Sequence, residues 1–366
     1  MIKILELFGG IGACSKALER LGIDYEIADY VEIDKYAVKS FNAIHNTNFE
    51  PQDICEWNKD IEVDLIMHGS PCQDFSLAGK QAGGDKGSGT RSSLMYETIR
   101  IVEKLKPKYV IWENVKNLLS KKHRHNFDAY LETMENLGYT NYYQVLNAKD
   151  YGIPQSRERV FTISIRKDIN KIFTFPPKQE LKLKLKDILE DEVDEKYYLS
   201  DKMINYISAD NEKWTGNNDK SLINKKIASA INTGEGSRRC DASNYISKDY
   251  KENYNLKSKQ KQLHSLIEKT NFEEGKVLNM DLYNQTTNEN ISQCLTEPHH
   301  NTQRLFDGLR IRKLTPKECW RLMGFDDEDF EKASKVNSNT QLYKQAGNSI
   351  CVPVLMAIFK ELIKWF

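Results

Sequence analysis

Short apolar runs alternate with helical spacing through the first half of the chain. Ile2-Lys-Ile-Leu-Glu-Leu-Phe8 reads as a strand, broken by Gly9-Gly10-Ile11-Gly12. Ala13 to Leu21 then has the spacing of a helix, ended by Gly22. Tyr25 to Val31 is a second strand. Val63 to His68 is a buried strand, stopped by Gly69-Ser70-Pro71, which cannot continue a ladder. From Arg91 to Lys104 the spacing is helical, with Leu94, Ile99, Val102 and then Leu105 on one face. Pro107 to Trp112 is a further strand, and Asn126 to Leu137 a helix ended by Gly138. Tyr142 to Ala148 and Val160 to Ile165 are two more strands. Strands and helices taking turns predict an α/β domain.

The pattern fades near Phe173. Phe175-Pro-Pro177 breaks the chain, and residues 178 to about 308 are rich in Asn, Lys, Ser and Tyr with few long apolar runs. Leu181-Lys-Leu-Lys-Leu-Lys186 alternates, as an edge strand with outward lysines would. Tyr197, Tyr198, Trp214, Tyr245 and Tyr250 supply enough core for an ordered module. Periodicity returns at Leu309. Thr315 at the N-cap, Pro316 at the first position and Glu318 three residues on predict a capping box. Gln345-Ala-Gly347-Asn348-Ser349 is expected to end one helix and cap the last. The expected division is a main domain at 1–172, a smaller insertion at 173–340, and a segment at 341–366 that returns to the main domain.

Composition narrows this little. The chain has 366 residues, room for two domains, with Lys+Arg 53 against Asp+Glu 53 and no net charge. A general polyanion binder is usually basic, so any such surface must be local. Seven cysteines, an odd number without a C-x-x-C pair, make neither a disulfide framework nor a zinc site, and suit a reducing cytoplasm. The N-terminus is too short and charged for a signal peptide. Ile350 to Phe366 carries Lys360, Glu361 and Lys364, so it reads as an amphipathic helix rather than a membrane span.

Candidate chemistry collects after the strands. Cys72 follows a strand's carboxyl end, where open α/β sheets keep their sites. The loop behind it, through Gly79, Gly83, Gly84, Gly87 and Gly89, can move as a lid. The plainer alternative is a small buried apolar cysteine. Gly10 and Gly12 open a nucleotide-binding type of turn, although Ser15 stands at the third glycine position. Glu32 follows about 20 residues later, where an acid takes ribose hydroxyls. Asp53 is read either as a partner for an adenine amine or as a surface turn. Glu113-Asn114-Val115 ends another strand. Gln155, Arg157 and Arg159 share one face if that segment is extended, with a solvated edge as the alternative.

Taken in order, these stretches resemble the DNA (cytosine-5)-methyltransferase family of bacterial or phage type. The series is Phe8-x-Gly10-x-Gly12, Glu32, Asp53-Ile54, Pro71-Cys72-Gln73, Arg91 with Leu94, Glu113-Asn114-Val115, Gln155-x-Arg157-x-Arg159, Arg312-Lys-Leu-Thr-Pro316 with Gly324-Phe325, and Gln345-x-Gly347-Asn348-Ser349. It spans residues 1–166 and 309–360. The resemblance implies a Rossmann-like domain that uses S-adenosyl-L-methionine, with an inserted target-recognition domain.

By the same resemblance, Cys72 is the thiolate that adds to carbon 6 of cytosine. Glu113 holds ring nitrogen 3 and the exocyclic amine, which calls for a raised pKa. Arg157 and Arg159 hold the ring carbonyl and a nearby phosphate. Phe8, Gly10, Gly12, Glu32, Ile33, Asp53, Ile54, Pro71, Leu94, Asn348 and Ser349 form the cofactor pocket. The sulfonium cofactor carries no phosphate, so Ser15 is no obstacle. The target base must leave the duplex, with the Gln73–Thr90 loop closing behind it. Ser76 and Gln81 are candidates to enter the gap, and Arg91, Gln155, Arg238 and Arg239 to touch DNA.

Glu6 and Ala13 depart from the family's usual Asp and Gly, and are expected to lie outside the chemistry. No residue is an evident base for the carbon-5 proton. Double-stranded DNA is the expected partner of a cytoplasmic monomer, with a cognate restriction endonuclease as a functional partner. The rival readings are an RNA cytosine-5 methyltransferase, a catalytically inactive cofactor-binding module, and an oxidoreductase.

Overall fold

The computed structural model describes residues 1–70, 94–198 and 311–362, Lys364, and four short strands between 228 and 289. Its centre is a six-stranded sheet. The strands are β1 (Ile2–Leu7), β2 (Tyr25–Val31), β3 (Leu65–His68), β4 (Tyr109–Val115), β5 (Tyr139–Asn147) and, past the two-residue β6 (Gln155–Ser156), β7 (Glu158–Arg166). They lie in the order β2-β1-β3-β4-β7-β5. β2, β1, β3 and β4 run parallel, while β7 pairs antiparallel with both β4 and β5. The six strands predicted between residues 2 and 165 are all present, some a few residues longer or shorter at their ends.

Parallel strands covered on both faces bury side chains of either parity, and β1 buries five of its six residues. Two cores result. Ile4, Leu65, Met67, Ile111 and Ile163 pack under α1 (Ala13–Arg20) and the C-terminal helix. Leu5, Leu7, Ile66, Val110 and Trp112 pack under α3 (Met95–Leu105) and α4 (Arg124–Asn136). α2 (Lys35–His45) covers the β2 edge through Val38 and Phe41 against Tyr30.

The C-terminal part is α5 (Pro316–Leu322), α6 (Asp327–Ser334), α7 (Asn339–Asn348) and α8 (Val352–Leu362). The predicted capping box opens α5. Its Glu318 also takes both terminal nitrogens of Arg312 at 2.8 Å, fully buried. α6 packs on α2, and a buried Lys16–Asp329 pair at 2.8 Å ties it to α1. α7 is tied to α2 by Gln345, whose amide donates to the Tyr36 carbonyl and accepts from Ser40. α8 lies along α1.

Two local expectations are corrected. Leu181–Lys186 forms no strand; Leu185–Ile188 is a single 3-10 turn. Leu185 and Ile188, three apart, drop together into the core against α5, which the alternating pattern alone does not reveal. Ser349 closes α7 but does not cap α8, because its hydroxyl donates to the adjoining Ile350 carbonyl and α8 begins at Val352. No helix among the described residues is long and apolar enough to cross a membrane.

Candidate active site

Sheet register brings the site together. Glu6 pairs with Met67 and Met67 with Ile111, so Glu113 stands one same-face step beyond Ile111. Glu6, Met67, Gly69 and Glu113 therefore share the α1–α8 side of the sheet's carboxyl end. A cavity of about 430 Å³, partly open to solvent, lies there. Phe8, Gly10, Ala13, Asn348, Ser349 and Ile350 complete its wall.

The turn after β1 is shaped by its neighbours. A side chain at Gly9 would meet the Tyr30 ring at 2.6 Å. Gly12 has φ +81°, and a side chain there would collide with His45 and Phe41. Phe8 also has a positive φ, 53°, which turns it out of the strand direction at the cavity rim. The Tyr30 hydroxyl donates to the Gly10 carbonyl at 2.6 Å, and the Gly10 N–H donates to the Glu32 carboxylate at 3.1 Å. Asp34 N–H gives Glu32 a second bond at 2.9 Å. Burial pushes the Glu32 carboxyl up while these N–H donors pull it back.

Glu6 accepts from both the N–H and the hydroxyl of Ser15. Ser15 therefore has a partner of its own at the third glycine position. Burial still pushes Glu6 up to about 7. Glu6 and Ala13, which are expected to lie outside the chemistry, both line the cavity. The sequence held a signal for Glu6: a carboxylate inside an apolar strand is costly unless it has a task.

Glu113 forms the opposite wall, and Arg159 sits across from Val115 in the β4–β7 pair, diagonal to Glu113 on the same face. Its Nε lies 3.1 Å from a Glu113 oxygen. Burial pushes the Glu113 carboxyl up, as expected, against the charges of Arg159 and Arg157. Ser70, just before Pro71, is held by Trp112 at 2.9 Å and by Asn114. Ser70, the last described residue of the segment that leads to Cys72, is thus anchored to the strand that carries Glu113.

Gln155, Arg157 and Arg159 do not form one continuous face, because the ladder breaks between β6 and β7. Gln155 is fully buried rather than facing DNA, and its amide donates to the Leu322 carbonyl at 2.7 Å. Arg157 donates to the carbonyls of Gly347 and Ser349 at 3.0 and 2.8 Å.

Of the expected pocket residues, Phe8, Gly10, Asn348 and Ser349 line the cavity with Glu113. Glu32 reaches it through Gly10, and the Gln52 N–H ties the Asp53 loop to the Glu32 carbonyl at 2.9 Å. Ile33 is exposed, Ile54 is in the second core, and Leu94 packs against that core ahead of α3. Pro71, Cys72, Ser76, Gln81, Arg91, Arg238 and Arg239 lie outside the described residues. Glu6, Cys14, Met67 and Ile350 also line the cavity without having been expected there.

The fold is similar to that of Spodoptera frugiperda DNMT2, with a TM-score of 0.68 at 22% identity over 99% of this chain and 100% of that one. A type II methyltransferase of Lactococcus lactis subsp. cremoris, M2.ScrFI, is 34% identical over 419 residues, covering 100% of this chain and 99% of the relative. The orphan methyltransferase M.SPRI of Bacillus phage SPR is 32% identical, covering 99% of this chain and 97% of the relative. The C-5 cytosine-specific DNA methylase family matches residues 2–364. With a match of that extent, this chain belongs to the C-5 cytosine-specific DNA methylase family.

Proposed function

We propose that Cys72, Glu113 and Arg159 carry out this family's reaction here: methyl transfer from S-adenosyl-L-methionine to carbon 5 of a cytosine flipped from a specific site in double-stranded DNA. The observation that carries the reading is Glu113. It is a buried carboxylate with a raised pKa, faced by Arg159, in the wall of the cavity that Phe8, Gly10 and Asn348 also line.

The cavity fits the cofactor. Phe8, Met67 and Ile350 offer apolar surface, while Glu32 stands one backbone N–H away to take ribose hydroxyls. Bound there, the cofactor supplies an electrophilic methyl on its sulfonium.

Carbon 5 of cytosine is a poor nucleophile. The Cys72 thiolate adds to carbon 6 and leaves carbon 5 as the end of an enamine. Glu113 shares a proton with ring nitrogen 3, so negative charge does not build up on the ring. Arg159 offers its guanidinium to the ring carbonyl. Carbon 5 then takes the methyl. Its proton leaves to water, and the electrons of that bond expel the thiolate.

The wider reading is a catalytic domain at 1–172, a target-recognition domain at 173–340, and a returning segment at 341–366. Arg238 and Arg239 are the proposed DNA contacts of the second part. A monomer in the cytoplasm completes it. A cognate restriction endonuclease is supported by the type II relative, whereas the orphan phage relatives are precedents for its absence. Bisulfite sequencing of DNA from cells expressing the chain tests the product and reads the site together. Conversion-resistant cytosines in one short sequence context support the proposal, and their complete absence from DNA counts against it.

A further inference from the structure

We propose that Arg157 is a positioning residue for the cofactor: it locks the Gly347-Asn348-Ser349 turn to the strands that carry the base-binding groups. The proposal rests on reading the cavity as the cofactor site.

The backbone of Arg157 is fixed first. Its N–H donates to the Asn147 side chain at 3.0 Å, and its carbonyl accepts from Ala148 N–H at 3.1 Å. The residue is thereby pinned to the end of β5. From that anchor its guanidinium, buried at 4% exposure, reaches the carbonyls of Gly347 and Ser349. These two carbonyls flank Asn348, which lines the cavity. They also belong to the C-terminal end of α7, where carbonyls lack helical partners and a cation is favoured. One terminal nitrogen, Nη2, donates to both carbonyls, and the planar guanidinium holds its two N–H bonds in fixed directions, so little freedom is left to either acceptor.

The far side of α7 is held independently. Gln345 and Lys344 tie it to α2, through the Tyr36 carbonyl and the Asp34 carboxylate. Asp34 also donates its N–H to Glu32. The turn with Asn348 is therefore clasped between the ribose-side carboxylate and the Glu113–Arg159 strands. Removing Arg157 frees one side of the clasp only. Its bonds go to the rim of the cavity, so the loss should fall on cofactor affinity more than on the chemistry of the base.

The test is calorimetric titration with S-adenosyl-L-methionine, and labelled methyl transfer to unmethylated genomic DNA, for wild type, Arg157→Ala and Arg157→Lys. Arg157→Ala is expected to raise Kd and KM for the cofactor about tenfold or more while kcat at saturating cofactor falls less than about threefold. Arg157→Lys, which keeps the charge and three N–H donors but loses the fixed planar geometry, should recover part of the affinity. Should Arg157→Ala fail to fold, Arg157→Lys decides alone, by a rise in Kd that exceeds its loss of kcat. A loss of kcat larger than the loss of affinity in either folded variant overturns the proposal, as does an unchanged Kd. A wild-type chain that takes up no cofactor would instead sink the reading of the cavity.

Discussion

The two walls of the cavity hold their carboxylates by different means. On the β1–β2 wall, Glu6 and Glu32 are bonded to neutral donors: the N–H and hydroxyl of Ser15, and the N–H groups of Gly10 and Asp34. On the β4–β7 wall, Glu113 faces the guanidinium of Arg159. Neutral donors fix where a carboxylate points but supply no opposite charge. That suits the role proposed for this wall, gripping an uncharged sugar in one pose. A guanidinium can offset charge in a neighbouring ring, which suits the role proposed for the other wall, where charge and a proton move. All three carboxyls are pushed up by burial. What separates them is the partner that answers the burial, and this predicts which step each one controls.

The largest effect tests whether the walls act separately. Cys72→Ser should abolish methyl transfer while cofactor binding, measured by calorimetry, stays as in the wild type. Retained turnover would defeat the covalent mechanism. Next is Glu113→Gln. An amide cannot share its proton with ring nitrogen 3 as a carboxylic acid does, and general acid catalysis contributes ~10²–10⁴-fold. Turnover should drop by about 10²–10³-fold with little change in DNA or cofactor affinity. A rate within about threefold of the wild type would remove Glu113 from the chemistry.

How much of this contrast the chain announces depends on distance along it. The parallel strands are readable because β-branched and aliphatic residues fill them on both parities and glycines punctuate them. The Thr315–Glu318 capping box is local and therefore legible too. The insertion of β7 between β4 and β5 is not, since periodicity marks a strand without naming its neighbours. The same holds for Lys16 with Asp329, which meet across most of the chain. Glu113 is legible because it ends an apolar strand next to an asparagine. Arg157 is misleading: its spacing groups it with Arg159, and only the break between β6 and β7 turns it toward Gly347. Glu6 stands out only as a carboxylate inside an apolar strand; β1 is so thoroughly buried that alternation gives no sign that it faces the cavity.

Glu6 gives a pH signature that belongs to the first wall. Its carboxyl rises from an ordinary value of 4.5 to about 7 on folding, chiefly through burial. Between those two values the folded chain binds more protons than the unfolded one. Stability therefore falls as pH rises through that window and levels off above it. The size is on the order of 3 kcal/mol at most. Glu6→Gln keeps an acceptor for Ser15 and cannot ionise. Thermal unfolding of the cofactor-free protein between pH 4.5 and 8 should show a shallower decline in the variant. Glu32 and Glu113 slope the same way, so the difference between the two curves isolates Glu6. Parallel curves would mean that the carboxyl is not held up as described.

Glu32→Gln should have the smallest effect, and it sharpens the contrast most. The carboxylate accepts from Gly10 and Asp34 with one oxygen each. An amide can accept from only one of them; its NH₂ then points at the other N–H. The side chain loses its fixed pose, and the Gly10 peptide at the cavity wall loses its anchor. Losing one such bond, from a neutral donor to a carboxylate, costs about 1.5–3 kcal/mol. Cofactor Kd should rise about tenfold, the equivalent of ~1.4 kcal/mol. At saturating cofactor kcat should hold, because nothing on this wall exchanges a proton with the base. If Glu32→Gln instead slows the saturated enzyme as Glu113→Gln does, the walls are not separate, and the neutral donors of the first wall are as much a part of the chemistry as the guanidinium of the second.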